Sequence, residues 1–63
     1  MKTIRQQAAE WGNPVVGKLH RTDDYLLRLR GKRVYYDDSG AEYSIDAATN
    51  KIATITTADG GVM

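Results

Sequence analysis

Gly12 and Pro14 divide this chain in two, because the first suits a left-handed helix cap and the second cannot continue a helix. Ahead of them, Ile4, Ala8 and Trp11 recur at helical spacing, and Thr3 and Gln6 stand three apart, as a capping box requires. The spacing predicts one short helix with Trp11 as its buried anchor and Arg5, Gln6 and Glu10 on its wet face. Beyond Pro14 the hydrophobic period falls to two, which commits the remainder to strands.

Five strands are expected, over residues 15–21, 25–30, 33–36, 41–46 and 51–57. Gly31-Lys32 puts glycine where a type II′ hairpin needs it, so strands two and three should pair Arg30 with Arg33 and Arg28 with Tyr35. A turn at Thr22-Asp23-Asp24 would set Lys18 against Arg28, and a four-residue turn from Asp37 to Gly40 would set Val34 against Tyr43. In the last strand Ile52 and Ile55 fall on opposite faces, which demands either cover on both sides or a bulge. The expected fold is α+β: a short N-terminal helix packed on a strongly bent five-stranded antiparallel meander, a small, partly closed barrel. One domain would span 1–57, and 58–63 would form a flexible tail.

That pairing sorts the side chains. Val15, Leu19, Leu27, Leu29, Val34, Tyr36, Tyr43 and Ile45 would face inward. Lys18, His20, Arg28, Arg30, Arg33 and Tyr35 would face outward, with cation opposite cation at Lys18–Arg28 and Arg30–Arg33. Like charges directly opposed on a ladder cost stability, so such pairs suggest a surface kept for an anion. The alternative is that Glu42 and Asp46 neutralise the patch and the cationic stems cover apolar surface. Charge is split along the chain as well: residues 1–33 hold eight Lys or Arg against three acids, and residues 34–63 hold one Lys against five acids.

Size and composition limit the function. A chain of 63 residues buries only about 60% of its unfolded surface, which leaves little room for a buried active site. With no cysteine and one histidine, it has no disulfide scaffold or thiolate metal site, and a cytoplasmic location is the expectation. No apolar run approaches the roughly 18 residues that span a membrane. A soluble protein is expected, without a membrane partner.

Several short motifs invite chemistry. Tyr35-Tyr36-Asp37-Asp38 resembles the metal-binding hairpin of reverse transcriptases over those four residues. Two-metal chemistry needs further carboxylates and a large palm, so a solvated turn is the expectation here. Asp37 to Glu42 lacks calcium-loop spacing, His20 near Asp23 and Asp24 has no nucleophile placed beside it, and Gly60-Gly61 lacks the strand and helix of a phosphate loop. No catalytic residue, metal site or cofactor is expected. One helix followed by five strands is similar to the order in the Sm-like RNA-binding proteins, and Gly17 through Arg30 (GKLHRTDDYLLRLR) resembles their glycine-containing bent strand and following turn. That resemblance implies edge-to-edge rings around single-stranded RNA.

The resulting expectation is a non-catalytic binding module, a regulator or inhibitor-type element. It would dock an acidic protein surface through Lys18, Arg28, Arg30, Lys32, Arg33 and Tyr35. The alternative is nucleic acid on the same basic face. Self-association through the sparsely charged last strand is a further expectation.

Overall fold

The computed structural model describes residues 2–22 and 25–63, with the side chains of Leu27 and Arg28 outside the description. Helix α1 spans Ile4–Glu10, β1 His20–Arg21, α2 Tyr25–Leu29, β2 Lys32–Tyr36, β3 Glu42–Asp46 and β4 Lys51–Thr56. The four strands form one antiparallel sheet in the order β1-β2-β3-β4, so β1 and β4 are edges and the sheet is open. The α+β class holds, with four strands among the described residues in place of five and without barrel closure. Among the described residues no helix is long and apolar enough to cross a membrane.

Helix α1 forms for the expected reason. The Gln6 amide donates to Thr3 Oγ1 at 3.1 Å while the Thr3 amide donates to Gln6 Oε1 at 2.8 Å, closing a capping box. Gly12, at φ +87°, ends the helix, and the Asn13 amide returns to the Ala8 carbonyl at 3.0 Å. The buried face differs from expectation. Ala8 is fully buried and Ile4 packs on the core, but Trp11, at the C-cap, is 38% exposed. The helix is tied down instead by Gln7, whose side-chain amide donates to the Asn50 carbonyl at 3.0 Å and accepts the Ile52 amide at 2.8 Å. It thereby engages the outer edge of β4 much as a neighbouring strand would.

The second expected strand is a helix. Leu and Arg are strong helix formers, and 25–29 contains no β-branched residue. The Arg30 amide reaches the Leu26 carbonyl at 3.3 Å, and Gly31, at φ +71°, breaks the helix rather than turning a hairpin. The Gly31 carbonyl then accepts the Ala47 amide at 2.9 Å. The expected facing pairs Arg30–Arg33, Arg28–Tyr35 and Lys18–Arg28 therefore do not form. The first expected strand is also reduced, from 15–21 to His20–Arg21, which pair with Tyr36 and Tyr35. With a helix between two strands, the element order departs from that of the Sm-like proteins.

A register shift of one residue completes the rearrangement. Val34 pairs with Ser44 and Tyr35 with Tyr43, because five residues, 37–41, occupy the β2–β3 turn where four were expected. Since strand side chains alternate, this slip exchanges the two faces of β2. Tyr35 turns toward the core, Tyr36 is 40% exposed, and Val34 is buried on the opposite face of the strand. The main core joins Ala8, Ala41, Tyr43, Ile45, Ile52 and Ile55, with Val15, Leu19 and Tyr35 against it. Between the pairs Ser44–Thr54 and Ile45–Ile52 the β4 strand carries one extra residue, Ala53. This bulge brings both Ile52 and Ile55 into the core, settling which of the two expected solutions the strand uses.

Candidate functional site

The β2–β3 turn is built on two carboxylates. Asp37 is 5% exposed, and one of its oxygens accepts the Ser39 amide at 2.9 Å, the Ser39 hydroxyl at 2.6 Å and the Ala41 amide at 3.0 Å. The other accepts the Tyr43 hydroxyl at 2.9 Å and the Val16 amide at 3.1 Å. Burial opposes its ionisation, but the donors Ser39, Val16, Tyr43 and Ala41 outweigh that cost and lower its pKa to about 2. Burial, together with the bond to Asp37 and its negative charge, pushes the Tyr43 phenol up to about 12. The turn length that sets the sheet register therefore follows from satisfying one buried carboxylate.

Asp38 holds the preceding segment. Its carboxylate accepts His20 Nε2 at 2.7 Å and the Lys18 amide at 3.0 Å, and these lower its pKa. Its amide donates to the Val16 carbonyl at 3.0 Å. Gly17, at φ +66°, lies directly under this carboxylate, where a Cβ would stand 1.9 Å from Asp38 Oδ2. The Arg5 guanidinium donates to the Gly17 carbonyl. Asp37, Asp38 and His20 thus serve as fasteners for the fold, which accounts for the Tyr35-Tyr36-Asp37-Asp38 string.

Two concavities stand out among the described residues. The larger, about 470 Å³, lies between α1 and the start of β4, lined among others by Trp11, Gln7, Glu10 and Lys51. Three of its polar side chains are engaged: Gln7 bonds the β4 edge, and Lys2 and Glu10 form an ion pair at 2.5 Å. The smaller, about 230 Å³, is lined by Arg21, Gly31, Lys32, Arg33 and Ala47. The β1–β2 register puts Arg21 opposite Tyr35, hence on the same face as Arg33 two residues earlier. The Ala47–Gly31 hydrogen bond joins two of its lining residues. Among the described residues, none of these three cations forms an ion pair. Asp46 is the cross-strand partner of Lys32, but its carboxylate accepts the Ala48 amide at 2.9 Å within its own turn.

The six residues expected to share one sheet face are divided between α2 (Arg28), β2 (Lys32, Arg33 and Tyr35) and the segments before β1 (Lys18) and after α2 (Arg30). Lys32 and Arg33 line the cationic concavity, and Arg30 precedes its Gly31 wall. Arg28 belongs to α2, and its side chain lies outside the described residues. Lys18 stands beside Asp38, at the far end of β2 from Lys32. Tyr35 is half-buried against the core. Arg21 was missed by sequence reasoning, because placing it beside Arg33 requires the two-residue β1 and its register.

No protein-family model matches the chain, and no curated protein or solved structure is significantly similar to it.

Proposed function

We propose that this chain is a non-catalytic interaction module, a small regulator or inhibitor-type element that docks an acidic segment of a protein partner. The observation that supports this reading is a concavity lined by Arg21, Lys32 and Arg33, with Arg21 and Arg33 on one face of the sheet and no ion pair to any of the three among the described residues. Two arginines on one face repel each other, with Lys32 adding positive charge from the adjacent position of β2, and an incoming carboxylate relieves that repulsion while matching the planar fork of arginine. Arg30 and Lys18 would extend the attraction beyond the concavity, with Arg28 on α2. A near-zero net charge of +1 favours a local protein contact over the broad phosphate tracking of nucleic-acid binders. Catalysis is not part of the reading, because Asp37, Asp38 and His20 are committed to holding the turn. A cytoplasmic setting belongs to the same proposal.

Titration of isotope-labelled protein with a hexaglutamate peptide tests it. The reading predicts amide shifts concentrated at Arg21, Gly31, Arg33 and Ala47, lost in Arg33→Glu. Shifts spread evenly over all the lysines and arginines, or a preference for an oligonucleotide over the peptide, would count against it.

A further inference from the structure

The outer edge of β4 is covered at both ends by the chain itself. At its start Gln7 occupies the Asn50 carbonyl and the Ile52 amide. At its end the chain doubles back: the Thr57 amide donates to Gly61 at 2.6 Å, Val62 bridges Thr56, and the Met63 amide donates to the Ile55 carbonyl at 2.7 Å. The two covers differ in strength. Gln7 belongs to a helix packed on β4, whereas Val62 is 71% exposed and Met63 is 43% exposed, so the returning segment gains little from apolar burial.

We infer that the Thr54–Thr57 edge of β4 is a strand-docking site for the same edge of a second copy of this chain, kept closed by residues 61–63. The segment under the cover is the part of the strand best suited to self-pairing. Beyond the Ala53 bulge it reads Thr54-Ile55-Thr56-Thr57, β-branched throughout and uncharged. Two copies laid antiparallel about Ile55 set Ile55 against Ile55 and Thr54 against Thr56, which keeps each face of the sheet continuous and opposes no like charges. The one charge of β4, Lys51, lies beyond the bulge, and Asp59, bonded to the Thr57 hydroxyl, belongs to the covering turn and leaves with it, so the strand itself carries no charged protection where the cover sits. Displacing three residues exchanges a short internal pairing for a reciprocal one and extends the sheet from four strands to eight.

Sedimentation equilibrium of three folded species decides it, with circular dichroism confirming the fold of each. The intact chain should run as a monomer at tens of micromolar. A chain ending at Thr57 should dimerise at least tenfold more tightly, and adding Thr54→Lys, at an exposed position, should return it to monomer. Should the shortened chain fail to fold, Gly60→Val in the full chain serves instead, because φ +92° at Gly60 excludes a branched side chain and opens the turn. Monomeric behaviour of a folded uncovered variant would overturn the inference. So would a dimer equally strong in the intact chain, or one indifferent to Thr54→Lys.

Discussion

The Tyr43 hydroxyl donates to the Asp37 carboxylate at 2.9 Å beneath the β2–β3 turn, joining a fully buried phenol to a nearly buried acid. Asn13 Nδ2 approaches the same hydroxyl at 3.4 Å, which connects the segment after α1 to the pair. One carboxylate thus binds its own turn, the strand β3 and the Val16 backbone. Removing its charge should be felt through the whole molecule.

Asp37→Ala should therefore destabilise the fold by on the order of 3 kcal/mol, since it leaves several donors unsatisfied. Asp37→Asn should recover only part of that loss, because an amide has one accepting oxygen where the carboxylate has two. Urea unfolding of the two variants checks the order. If both were as stable as the native chain, Asp37 would not be the centre of the turn.

Acid should act through the same group. Its pKa falls from 3.8 to about 2 on folding, so the unfolded chain binds the proton more readily. The corresponding stability, up to about 2 kcal/mol, is fully present above pH 4 and is lost as pH falls through 4 toward 2. Asp38 shifts in the same direction and adds to the trend. Thermal melts between pH 6 and pH 2 should show a drop that is much reduced in Asp37→Asn.

Gly17→Ala should cost more than a surface glycine replacement. The new Cβ meets Asp38, and φ +66° disfavours any side chain. A loss of about 2 kcal/mol is expected, and the double variant with Asp38→Ser should retain only the backbone part. Simple additivity of the two substitutions would show that the contact with Asp38 carries no energy.

The α2 helix gives a simpler test. Leu26→Val and Leu29→Val, both at exposed positions, favour strand and should weaken α2 by roughly 0.5 kcal/mol each. A gain in stability would support the strand pairing that the alternation of Leu and Arg suggests.

Legibility in the sequence followed the locality of the signal. The Thr3–Gln6 box and the Gly12 cap rest on residues close together in the chain and were readable, whereas the Ile52–Ile55 spacing left β4 open between a bulge and cover on both sides. Residues 25–30 satisfy two periods at once: Leu27 and Leu29 alternate with Arg28 and Arg30 as in a strand, while Leu26, Leu29 and Arg30 also suit a helix. Their composition and the following glycine were the helical signals. The sheet register depended on where the Asp37 carboxylate points, a three-dimensional fact, and a slip of one residue moved Tyr35 from the outer face to the core. Residues 58–63 read as a flexible tail, and amide exchange at Thr57 and Met63 measures how firmly their hydrogen bonds hold. The charge split made Lys32 and Arg33 visible as part of a basic surface, whereas Arg21 needed the β1–β2 pairing.

The central claim is that Arg21, Lys32 and Arg33 form one acid-docking concavity. Its most direct test is the affinity of the hexaglutamate peptide for the native chain, for Arg33→Glu and for the distant Lys2→Glu, at low and physiological salt. Arg33→Glu should weaken binding at least tenfold, with Lys2→Glu changing it less than twofold at the same salt. Equal losses from the two reversals would show that only overall charge is sensed and would contradict the account.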